Sequence, residues 1–162
     1  MSSDAVSRAK VLQTSAAFRS FSESGLLLLA KIARDRSIPQ GTPIFVQNMV
    51  SEGMFVVKVG VVALSIKDET GQERRLDQLT SSESFGELSL LIGGQRMVTA
   101  TAVTDCELIE IPRREFANLQ KQKPQACLKL MINIVRQFGK RLAETRQGLL
   151  PLVASQLDKA SQ

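Results

Sequence analysis

The chain contains no histidine, no tryptophan and no tyrosine. Without histidine it lacks the commonest general base, the usual haem ligand and most ligand sets that hold zinc. GxSxG, HExxH and GxxxxGK[ST] motifs are also missing, so no residue is nominated as catalytic and none as a metal ligand. Cysteine occurs only twice, as Cys106 and Cys127, and never as Cys-x-x-Cys. That usage suits a reducing, cytoplasmic compartment in which both thiols act as small buried hydrophobes. Apolar runs such as Leu26 to Ala30 are far too short to span a bilayer. The start, Met1-Ser2-Ser3-Asp4, has no basic segment leading into an apolar one, so no secretion signal is expected. These gaps together argue for a protein that binds rather than catalyses.

What is present is ordinary in amount and uneven in placement. The 162 residues are 43% hydrophobic and 23% charged, enough for one domain with a proper core. The formal charge of +5 is split along the chain. Residues 37–111 hold five Lys/Arg against ten Asp/Glu, whereas residues 112–146 hold nine against two. A basic C-terminal region beside an acidic body attracts nucleic acid, an acidic partner or anionic lipid, or is simply a solvated helix face.

Read in order, residues 1–10 are polar and expected to be flexible, and the single domain is expected over 11–162. Residues 11–36 carry a helical stripe, Leu12, Phe18, Phe21, Leu26, Leu29, Ile32 and Ala33. The stripe breaks near Ser20–Ser24, where Ser22 or Ser24 can cap a second helix. Residues 37–111 read as seven or eight short strands separated by turns, the pattern of a mainly β sandwich or jelly roll with flanking helices. Val62, Leu64 and Ile66 alternate with Ala63, Ser65 and Lys67, and Asp68-Glu69-Thr70-Gly71 forms a hairpin turn. Residues 112–150 are helical, with a short helix ending before Pro124 and a long one starting there. Along the long helix Leu128, Met131, Val135, Phe138, Leu142, Thr145 and Leu149 recur at heptad spacing. A second stripe, Ala126, Cys127, Leu130 and Ile134, is free to pack on the body of the domain. Gly148 and Pro151 end the helix, and 151–162 form a short tail.

One stretch, Phe85 to Ala100, falls among the strands and carries chemistry. Gly86, Glu87, Leu88 and Ser89 precede a short segment with Gly93-Gly94, and then come Arg96, Met97, Val98 and Thr99. An arginine offers a permanent charge and a planar fork of donors suited to phosphate. A short helix starting near Glu87 aims free backbone N–H groups at the same anion. Glycine at 86 lets the backbone approach a ligand. The competing interpretation is a surface ion pair between Glu87 and Arg96 around a turn.

This stretch resembles the phosphate-binding cassette of cyclic-nucleotide-binding domains, a Phe-Gly-Glu-Leu run followed by Arg-x-Ala-Ser/Thr. Val98 departs from the usual alanine. Ile38-Pro39-Gln40-Gly41 and Gly60 match further family positions, while Gln47-Asn48 departs from the usual Glu-Gly-Asp. Cys106 to Ile111, Phe116 and Pro124 make the order similar to the ligand-binding half of catabolite-activator-type regulators. The resemblance implies a β-jelly-roll with N-terminal helices and a long C-terminal helix. It assigns a phosphate-binding role to Arg96 and a ribose 2′-hydroxyl to Glu87, whose ionised carboxylate only accepts hydrogen bonds. Phe85, Gly86, Leu88, Ser89, Met97, Val98 and Thr99 complete the implied cassette 85–99, and Thr145 or Arg146 would reach the base edge. The implied ligand is cyclic AMP, with cyclic GMP the alternative and no other cofactor. Implied output runs through the C-terminal helix, to a homodimer or a protein partner. Only eleven residues follow Pro151, too few for a helix-turn-helix, so no DNA-binding motif is expected here. The alternatives are a nucleotide-independent interaction module and the N-terminal piece of a transcription factor.

Overall fold

The computed structural model describes residues 2–144. Helix α1 spans Ser3–Gln13, a 3-10 turn Ala16–Phe18 follows, and α2 spans Glu23–Ile32. The strands are β1 Arg34–Ile38, β2 Pro43–Phe45, β3 Gly53–Val59, β4 Val62–Lys67, β5 Glu73–Leu79, β6 Ser84–Phe85, β7 Thr99–Ala102 and β8 Cys106–Pro112. Helix α3, Leu88–Leu91, lies between β6 and β7, and α4 (Arg113–Gln122) and α5 (Pro124–Glu144) close the described chain. Two antiparallel four-stranded sheets, ordered β1-β8-β3-β6 and β2-β7-β4-β5, give the expected jelly-roll architecture with flanking helices.

The ends of the helical region differ from the sequence expectation. Residues 3–10 are helical rather than flexible, because Ser2 Oγ accepts from the Ala5 amide and Ala5, Ala9 and Leu12 are buried. Small alanines made that face look polar, although they pack as well as larger residues where a helix lies close to its neighbour. At the other end, Arg34 to Arg36 are strand, not helix: β1 pairs in register with β8, Arg34 opposite Glu110 and Ile38 opposite Cys106. Cross-strand pairing settled what a short charged segment left ambiguous. Ser22 does cap α2, accepting from the Gly25 amide at 3.1 Å.

Two hydrophobic clusters share the central strands. Inside the sandwich, Phe45, Phe55 and Phe85 meet with ring centroids 5.3–6.0 Å apart, packed with Val57, Val62, Leu79 and Leu108. Outside it, Leu12, Phe18, Leu29, Met54, Val56, Ile109, Ile111, Phe116 and Leu130 join the helices to the sheet. Strands β3 and β8 are buried on both faces, so successive residues feed alternate clusters. Helix α5 is held by its second stripe, with Cys127, Leu130 and Ile134 buried as expected. Asn133 sits on the same face, and its Nδ2 donates to the backbone oxygens of Ala17 and Arg19, each at 3.0 Å. Leu128, Ile132, Val135 and Phe138 are exposed. The exposed seam therefore runs through Ile132, whereas Met131 is partly buried against the helical cluster. Thr145, Arg146, Gly148, Leu149 and the tail lie outside the described residues.

Candidate functional site

Gly86 sets the geometry of the cassette. Its φ of +73° lies in the left-handed region that glycine tolerates best. A Cβ there would stand 2.6 Å from Arg96 Nη1 and 3.2 Å from the Gly53 carbonyl oxygen. The turn it makes after β6 leads into α3, with Glu87 at the N-cap position. Ser89 Oγ donates back to the Gly86 carbonyl at 2.7 Å, which locks the turn. Glycine thus serves two purposes at one position: it turns the chain, and it leaves room for a guanidinium.

That guanidinium is buried. Arg96 is 6% exposed, and its Cζ lies 3.9 Å above the centroid of the Phe45 ring. Nη2 donates to the Gly53 carbonyl at 2.6 Å and Nη1 to the Gly86 carbonyl at 3.4 Å, while Nε is buried with no hydrogen-bond partner. No carboxylate lies within ion-pair distance of Arg96 among the described residues. Burial pushes the guanidinium below its ordinary pKa, opposed by the more distant charges of Glu110 and Glu52. The surface ion pair weighed from sequence is thus absent. Glu87, 9% exposed, instead accepts from Ser84 Oγ at 2.7 Å.

These groups line one cavity of about 290 Å³ together with Phe45, Leu64, Phe85, Leu88, Ser89, Ile92, Met97 and Val98. Of the nine cassette residues named from sequence, all but Thr99 line the cavity; Thr99 Oγ1 accepts from the Gln47 amide at 3.0 Å. Met97 is 70% exposed at the rim. Helix α5 supplies two further lining residues, Phe138 and Arg141. Arg141 Nη1 stands 3.9 Å from Glu87 Oε1 and links the helix to the cassette. Sequence reasoning put Phe138 in the heptad series and did not nominate Arg141 for the site. Their spacing of three along α5 was the available signal. Among the described residues no group of acidic or cysteine side chains is placed to hold a metal ion. No described helix is long and apolar enough to cross a membrane. Cys106 and Cys127 are both free and buried, and burial raises the Cys127 thiol pKa.

A buried cation, a carboxylate and a helix start thus surround one cavity on a jelly roll. The cyclic nucleotide-binding domain family matches residues 35–123, and the chain belongs to that family. It is 37% identical over 103 residues to the cyclic AMP receptor protein of Thermus thermophilus, covering 64% of this chain and 48% of that one. The crystal structure of the Thermus thermophilus catabolite activator protein superposes with a TM-score of 0.72 at 31% identity, over 91% of this chain and 63% of the other. A cGMP-dependent 3′,5′-cGMP phosphodiesterase of Dictyostelium discoideum is 28% identical over 144 residues, 89% of this chain but 15% of that protein. The chain thus spans about half the length of the receptor protein it resembles.

Proposed function

We propose that this chain is a non-catalytic cyclic-nucleotide sensor of the cytoplasm, with cyclic AMP favoured over cyclic GMP. The observation that carries this reading is Arg96: a buried guanidinium facing a cavity, with no carboxylate at ion-pair distance among the described residues and Nε without a partner there. An uncompensated buried charge is costly, and an anionic ligand offsets that cost. The cyclic phosphate takes the place of that missing anion, assisted by the amides at the start of α3. Glu87 accepts the ribose 2′-hydroxyl, and Phe138 and Arg141 cover the ligand from α5. The preference for cyclic AMP rests on likeness to the cyclic AMP receptor protein of Thermus thermophilus. Because α5 meets the ligand on one side and leaves Leu128, Ile132 and Val135 exposed on another, it carries the signal to a second copy or a protein partner. Regulation requires that the ligand favour one placement of α5 over another.

Calorimetric titration with cyclic AMP and cyclic GMP tests the reading. Wild type is expected to bind saturably, and Arg96→Ala to lose tenfold to a hundredfold, for a charge-assisted contact worth about 1.5–3 kcal/mol. Glu87→Ala is expected to weaken cyclic AMP and to spare its 2′-deoxy analogue. A folded wild-type protein that takes up no cyclic nucleotide would sink the reading. The exposed α5 face would then favour a nucleotide-independent interaction module.

A further inference from the structure

A second cleft lies behind α5, between that helix and the 3-10 turn, with a volume of about 300 Å³. Four cations line it, Arg19, Arg136, Lys140 and Arg141, against a single carboxylate, Glu144. Neither Arg19 nor Arg136 enters an ion pair among the described residues, and Glu144 stands 3.9 Å from Lys140, one turn along the same helix. The two walls do not drift apart, because Asn133 Nδ2 donates across them to the Ala17 and Arg19 carbonyls. Like charges held around one fixed concavity repel each other, and that cost is relieved only by screening or by an anion.

We infer that this cleft is a second anion site, distinct from the cassette, which takes a small phosphate-bearing molecule. With Lys140 beside Glu144 and Arg141 beside Glu87, Arg19 and Arg136 still leave the cleft with a net positive charge. A phosphate group carries about −1.5 to −2 at neutral pH and presents oxygens to several arginine forks at once. Arg141 belongs to both cavities and stands 3.9 Å from Glu87, so occupancy of the cleft bears on the cassette through one side chain. The cleft itself does not depend on the cyclic-nucleotide reading.

Pyrophosphate is the probe, titrated calorimetrically into the full chain at constant ionic strength. One saturable site is expected in wild type and in Arg96→Ala, whose cassette lacks its cation. Arg19→Ala/Arg136→Ala, altered at two exposed positions outside the nucleotide cavity, is expected to weaken it at least tenfold, with an unchanged circular dichroism spectrum. Lys140→Ala gives an independent loss should the double variant misfold. Loss of pyrophosphate binding in Arg96→Ala would assign the anion to the cassette and overturn the inference. So would equal binding by wild type and the cleft variants, or binding of a glutamate-rich peptide but not of pyrophosphate.

Discussion

The two hydrophobic clusters differ in what they hold in place. The inner one is built on three phenylalanines, and Arg96 lies directly on one of those rings. The outer one is aliphatic in the main and joins the five α-helices and the 3-10 turn to the sheet. The inner cluster fixes the cavity, and the outer one fixes the helix that covers it. Strands β3 and β8 belong to both, with Phe55 and Val57 facing in and Met54 and Val56 facing out. A cassette and a lid built on opposite faces of the same strands are positioned together. Each can still be weakened separately, because the side chains that serve them do not overlap.

Substitutions test that separation, beginning with the largest expected effect. Phe85→Ala removes a ring that is 2% exposed and stacked 5.3 Å from Phe55. It is expected to destabilise the fold by about 3–5 kcal/mol in denaturant unfolding. A loss below about 1 kcal/mol would mean that the inner cluster does not carry the cavity. Gly86→Ala forces a Cβ to within 2.6 Å of Arg96 Nη1 at a positive φ. A cost of about 1–3 kcal/mol is expected, together with weaker cyclic-nucleotide binding than wild type. Unchanged melting and binding would show that the guanidinium moves aside freely.

Asn133→Ala acts where α5 meets the 3-10 turn, away from the cassette. It leaves the buried Ala17 carbonyl and the partly buried Arg19 carbonyl without their side-chain donor, at an expected cost of about 1–3 kcal/mol. The Phe45–Arg96 arrangement should be untouched. Since α5 is then held less firmly, cyclic-nucleotide affinity should fall by less than in Arg96→Ala; an equal fall would erase the distinction between cassette and lid. The smallest change in stability is expected from Val135→Glu, at a position 60% exposed and outside both cavities. It should shift the unfolding midpoint of dilute protein by less than about 0.5 kcal/mol. If α5 pairs with a second copy, sedimentation at high concentration should change from dimer to monomer. A wild-type protein that is monomeric throughout would leave the exposed face to a different partner.

Much of this was legible in the residues. Alternating strands, the Ser22 cap, Pro124 at the start of α5 and the Gly86-Glu87…Arg96 constellation rest on interactions within about ten positions, and local sequence encodes such interactions directly. Helix α1 was not legible, because Ala5 and Ala9 look indifferent until a neighbouring helix covers them. Strand β1 was missed because Arg34, Asp35 and Arg36 gain their conformation from pairing with Leu108 to Glu110, over seventy positions away.

The amino-acid order by itself determined which side chains form the cassette, since Gly86 and Arg96 meet within one loop whose turn only a few residue types can make. Tertiary structure decided what stands over it. Phe138 and Arg141 reach the cavity because Cys127, Leu130, Asn133 and Ile134 dock α5 at a particular rotation against α3, α4 and the 3-10 turn. A heptad pattern specifies that a helix has an apolar seam. Which face turns inward depends on surfaces contributed by the far end of the chain, and no periodicity within the helix contains that information.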